Sequence, residues 1–130
     1  CVGTGSTLHL VGSLGFELSD KQVKRAGLDY WPHLNLKQYS SWDEWWQEVP
    51  NKERVFFFTT KSKKPFFDIE FQPGDWLVFG KETKGLPESI FTQFLEQSVT
   101  MPFPGKIRSF NLSNAVAMAL GEGMRQLWHS

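Results

Sequence analysis

The stretch DWLVFGKETKGLPESIFTQF, residues 75–94, runs from an apolar segment through a glycine-bracketed loop into a helix signal. The turn pair Pro73-Gly74 precedes DWLVFG, residues 75–80, which reads as a strand. Pro87 suits the first helical position, where its missing amide costs nothing, so PESIFTQFLEQ is predicted helical from there. Strand, loop and helix in succession are the unit from which parallel sheets are built.

The same unit recurs on either side. RVFFFTT, residues 54–60, is apolar on both faces, as strands are in a sheet covered on both sides. TLHLV, residues 7–11, and SVTM, residues 98–101, read as shorter strands. SDKQVKRA, residues 19–26, has Ser19 and Gln22 in a capping-box pattern, and Gly27 ends that helix. A second helix starts at Ser41 with Glu44 at the matching position. Its apolar face is Trp42, Trp45, Trp46 and Val49, and Pro50-Asn51 stops it. The last helix runs from near Asn111 to about Trp128, with a stripe of Val116, Leu120, Met124 and Leu127. Gly121 and Gly123 each weaken it by roughly 1 kcal/mol relative to Ala. The order strand, helix, helix, strand, strand, helix, strand, helix predicts an α/β fold with a mainly parallel sheet flanked by helices.

Bulk composition narrows the function classes. The 130 residues suffice for a single domain with a sizeable core, and 40% are apolar. Fourteen basic residues balance fourteen acidic ones, so nucleic-acid binding would need a local basic patch. Cys1 is the one cysteine, so no internal disulfide forms, which fits a reducing compartment. The expected location is the cytoplasm or an organelle. No 18-residue apolar run is present, so no membrane span is expected. His9, His33 and His129 are scattered without metal-ligand spacing, so no metal is expected, and His9 reads as a structural histidine within its strand. A chain that opens on the glycine-rich CVGTGSTLHLV is expected to lack a preceding piece of its domain.

Ligands of open α/β sheets bind beyond the carboxyl ends of the strands. Three loops leave such ends: TTKSKKP, GKETKGLP and PFPGKIRSFN. Gly80 and Gly85 have the glycine spacing of a P-loop, but Leu86 and Pro87 stand where Lys and Ser/Thr must follow. Gly3 and Gly5 precede a strand instead of following one, which excludes the dinucleotide fingerprint. No GxSxG nucleophile elbow occurs.

FGKETKGLPESI resembles the second motif, FGxExxGL, of the SpoU branch of the SPOUT methyltransferases. MPFPGKIRSFNLSNAVAMAL resembles their third motif, a Pro-containing loop followed by a helix starting SNA. RAGLDYW, residues 25–31, resembles the subfamily that methylates the wobble cytidine or uridine ribose of tRNA. The likeness runs from Cys1 to about Leu127.

The resemblance implies a sheet whose C-terminal part threads a loop as a deep trefoil knot, a homodimer, and an S-adenosylmethionine site formed by the three loops. S-Adenosylhomocysteine would be the product. By motif position, Phe58, Thr59, Gly80, Gly85, Leu86, Met101, Pro102 and Ser109 would contact the cofactor, and Glu82, Ser109 and Asn111 would shape the reacting site. Asn111 also suits a helix N-cap, and Glu82 a solvated loop charge. Methyl transfer to a ribose hydroxyl needs in-line positioning and a proton acceptor. In the family a first motif with an Asn and an Arg supplies part of this. It would precede Cys1, with the first strand and part of the first helix. The alternative is therefore a catalytically inactive RNA- or cofactor-binding member. Gly121 stands where relatives often carry an aromatic residue in a helix that packs in the dimer. Lys21, Lys24 and Arg25 on one helix face, and Lys61, Lys63 and Lys64 in one loop, are the candidate contacts to tRNA phosphates.

Overall fold

The structure, a computed structural model, describes residues 1, 3–12, 31–80, 87–102, 104–105 and 111–129. It divides into two compact units, Cys1–Pro50 and Asn51–Ser130. The helix expected over residues 19–26 lies outside the described residues.

In the first unit β1, Leu8–Val11, pairs in parallel with β2, Leu36–Tyr39, with Leu8 opposite Leu36 and Val11 opposite Tyr39. β2 was not anticipated. Its sequence LKQY exposes Lys37 and Gln38 and fully buries only Tyr39, so it carries almost no apolar signal. α1, Trp42–Glu48, starts as its cap predicts: the Ser41 hydroxyl accepts from the Glu44 amide at 3.2 Å. The Glu44 carboxylate reaches one residue further back than a capping box requires, accepting from the Ser40 amide and hydroxyl. Trp45 and Val49 are each 2% exposed, and Trp42 stacks on Trp46.

His9 has the structural role expected of it. Its Nδ1 lies 3.1 Å from the Tyr39 hydroxyl, and the two rings stack. Burial lowers its pKa below 6.5, Lys37 lowers it further, and Glu48 partly opposes them. Because the folded value is the lower one, the unfolded chain holds more protons in this range. The stability His9 contributes is complete above about pH 6.5 and is lost as pH falls from there through the lower folded-state value. Melting temperature should therefore decline on acidification below pH 6.5, and His9→Gln should flatten that part of the curve. An unchanged slope in the variant would assign the decline to other groups.

The second unit is built on β3, Val55–Phe58, whose four residues are all buried. β3 lies between β4, Trp76–Phe79, and β5, Ser98–Val99, and both pairings are parallel. Alternation sends Phe56 and Phe58 to one face, where they join Phe66, Ile69, Phe71, Val99 and Ala119 in the core. On the opposite face Phe57, fully buried, stacks on Phe94 at 4.8 Å. Coverage of both faces is what the apolar run predicted. At the amino end of β3, Arg54 donates to both carboxylate oxygens of Asp75 and to the Glu70 carbonyl, fixing the turn that leads into β4. Among the described residues the parallel strands form two sheets, β1-β2 and β4-β3-β5, where one was expected.

One helix expectation needs correction and another is refined. α2 spans Glu88–Gln93, and Pro87 is its N-cap in extended conformation, one position earlier than predicted. The helix stops at Phe94, whose carbonyl accepts from the Ser98 hydroxyl. Gln97 then donates to the Lys52 and Val55 carbonyls, so a 3-10 turn leads straight into β5. α3, Leu112–Leu127, half-buries Val116, Leu120 and Leu127 of its expected stripe and leaves Met124 exposed. Its buried centre is Ala119, at 0% exposure, whereas Met118 and Met124 are exposed. The small Ala119, with Gly123 facing Phe71, lets the backbone approach the phenylalanine layer. Gln126 secures the contact: its carbonyl oxygen accepts from the Phe71 amide and its nitrogen donates to the Ile69 carbonyl.

Candidate cofactor and RNA site

All three strands of the second unit point the same way, so their carboxyl ends share one edge. The register sets Phe58 beside Phe79 and Val99. Thr59 continues the ladder, donating its amide to the Val99 carbonyl at 2.9 Å. Phe58, Thr59 and Gly80 thus lie at the ends of β3 and β4, and Met101 and Pro102 follow the end of β5 by two and three residues. Phe58 is 8% exposed, and its ring stacks on Phe79 at 4.6 Å, so it offers this edge its backbone and not its side chain. Thr59, Gly80 and Met101 are half-buried, and Pro102 is exposed.

Asn111 fills the capping role: its side-chain oxygen accepts from the Ser113 amide at 2.9 Å and hydroxyl at 2.7 Å. The remaining expected site residues, Glu82, Gly85, Leu86 and Ser109, lie outside the described residues. So do Lys21, Lys24 and Arg25 of the basic helix face.

Lys61, Lys63 and Lys64 are exposed on the loop that leaves β3. Lys61 pairs with Glu88 at the start of α2, 3.8 Å away. The loop is held by a residue the sequence did not single out. Ser62 is buried; its hydroxyl donates to the Ser98 carbonyl at 2.9 Å and accepts from the Lys64 amide at 3.2 Å. A Ser among lysines looks like solvated loop, and only β5 packing behind it shows otherwise.

Beside Met101 and Pro102 lies an apolar groove of about 350 Å³, closed by Phe66, Phe67 and the Met118–Arg125 side of α3. Within it, hydrogen bonds from Arg125 and then Gln126 hold the Glu122 carboxyl down to about 2. Among the described residues, no three His, Cys, Asp or Glu side chains are placed to hold a metal ion. No described helix is long and apolar enough to cross a membrane. Half-buried Phe79 and Met101 give this edge an apolar wall of the kind that lines nucleoside sites.

An α/β unit whose parallel strands end at one common edge defines a class of folds in which nucleotides and cofactors commonly bind. Comparison with known proteins narrows that class. The chain belongs to the SpoU rRNA Methylase family, whose model matches residues 1–121. A Burkholderia ambifaria protein named tRNA (cytidine(34)-2′-O)-methyltransferase is 44% identical over 128 residues, covering 97% of this chain and 82% of that relative. A solved structure described as giving structural insights into the 2-OH methylation of C/U34 on tRNA superposes with a TM-score of 0.89. It is 40% identical and covers 99% of this chain and 84% of that one. The Streptomyces viridochromogenes SpoU methyltransferase AviRb, in complex with the cofactor AdoMet, superposes at 0.78 with 21% identity. It covers 99% of this chain and 53% of its own, and that likeness concerns the fold.

Proposed function

We propose that this protein transfers the methyl group of S-adenosylmethionine to the ribose 2′-hydroxyl of a tRNA nucleotide, the wobble cytidine or uridine at position 34. The observation that carries this reading is the 44% identity, over 97% of the chain, to a relative named for that reaction. The strand-end edge supports it. Gly80 and Met101, just past their strands, would offer backbone groups to an adenosine, with apolar side chains alongside. When bound, S-adenosylmethionine supplies the methyl group on a sulfonium that leaves readily. The chain's own part is to hold the donor and the ribose in line and to exclude water.

The deep trefoil knot and the homodimer of the family belong to the same proposal. The knot is supported by the 0.89 superposition on a 40% identical structure. The dimer is supported by the apolar groove and the exposed Phe67, Met118, Met124 and Trp128, which a second copy would cover. A tRNA substrate would accord with a location in the cytoplasm or in an organelle that holds tRNA.

Calorimetric titration with S-adenosylhomocysteine tests the cofactor assignment. Saturable one-to-one binding in the micromolar range is expected, about −8 kcal/mol. Absence of binding to a folded protein, or competition by ATP or GTP, would overturn it.

A further inference from the structure

The exposed lysines of the β3 loop would ordinarily be mobile, and holding long side chains near a phosphate would then cost entropy on binding. Here the backbone beneath them is fixed at every turn. The Ser62 amide closes a turn onto the Thr59 carbonyl, and the Lys61 amide donates to the Thr59 hydroxyl. The Ser62 hydroxyl joins the loop to β5 through Ser98 and holds the Lys64 amide. Past the lysines, the Thr100 amide donates to the Lys64 carbonyl and the Phe66 amide to the Thr100 carbonyl, each at 2.8 Å. Pro65 bridges to Thr100 in parallel. Lys63 and Lys64 therefore sit between two anchors on β5 and the segment that follows it, and that segment runs on into Met101 and Pro102 at the cofactor edge.

We infer that Ser62 is a positioning residue: its buried hydroxyl presets the Lys63–Lys64 backbone as a clamp for tRNA phosphates beside the methyl-donor site. This rests on the tRNA reading above. Ser62 touches no substrate and acts through the two lysines. The clamp is sequence-independent, since phosphate contacts position a nucleic acid without reading its bases. Its contribution should fall with added salt, as counterion release requires.

The test measures affinity for a tRNA transcript, affinity for S-adenosylhomocysteine and melting temperature. The proteins compared are wild type, Ser62→Ala, Lys63→Ala/Lys64→Ala and the triple variant. Loss of one net hydrogen bond and of the preset loop should weaken tRNA binding by about fivefold in Ser62→Ala, with cofactor affinity unchanged. In the background lacking both lysines the same change should have less than about a twofold effect, because its route of action is gone. An unchanged tRNA affinity in Ser62→Ala overturns the inference. So does a fivefold loss that persists without the lysines, or a parallel loss of cofactor affinity, either of which marks a general structural role. If wild type fails to bind tRNA, the tRNA reading itself falls. The pin is then judged alone by exchange of the Lys64 amide, which should accelerate in Ser62→Ala by roughly tenfold; unchanged exchange overturns it.

Discussion

Gly80→Val should abolish cofactor binding while leaving the protein folded. Gly80 is the first residue after β4, one past Phe79, which pairs with Phe58 at the end of β3. A backbone that must approach a flat ligand closely has no room for a side chain, and a branched one is the least accommodating. An affinity loss for S-adenosylhomocysteine of at least about 100-fold is expected, about 2.7 kcal/mol. The substitution lies beyond the last ladder pair, Phe58 with Phe79, so the melting temperature should change little. Calorimetry and thermal unfolding on one preparation separate the two effects. Unchanged affinity would move the pocket away from this edge.

Phe57→Ala should have the largest effect on stability. Phe57 is fully buried at the centre of β3, between β4 and β5, and its ring stacks on Phe94. Truncation removes buried ring surface and leaves a cavity that the flanking strands cannot close without breaking their ladders. A loss of about 3–5 kcal/mol is expected from denaturant unfolding. That is a large share of the stability of a domain this size, so the folded population itself should suffer at physiological temperature. A loss below about 1 kcal/mol would mean that α2 repacks into the space and that this face is looser than its burial implies.

The parallel architecture of the second unit was legible because its strands are apolar on both faces. RVFFFTT and DWLVFG have no polar alternation, and no other common arrangement buries them. The three loops at the carboxyl edge follow from that assignment, which is why Phe58, Thr59, Gly80, Met101 and Pro102 all fall at or just past strand ends. β2 was illegible for the opposite reason. LKQY makes its case through backbone pairing with β1, and its one buried side chain, Tyr39, reads as a loop aromatic. On α3 the stripe of Val116, Leu120 and Leu127 marked the half-buried side but missed its centre, Ala119. Packing against Phe71 and its neighbours selects small residues, so Ala119 is buried and the larger Met118 and Met124 are left outside. Ser62 was beyond sequence reading altogether. Its partner Ser98 lies 36 residues away, and short polar side chains gain meaning only when tertiary structure supplies the acceptor.

The motif residues fared unevenly for a physical reason as well. Asn111 satisfies two requirements at once, starting α3 and standing next to the third loop. Its observed hydrogen bonds belong to the capping role. Gly80 is placed by the register that ends at Phe79, and Met101 follows Thr100, which is held by the Lys64 carbonyl and the Phe66 amide.

The most direct measurement is transfer of a labelled methyl group from S-adenosylmethionine to unmodified tRNA, with the modified nucleotide located by ribose-methylation mapping. Label at the 2′-oxygen of cytidine or uridine 34, lost in Gly80→Val and retained in His9→Gln, is the predicted result. Label on a base, at another nucleotide, or on ribosomal RNA alone would contradict it.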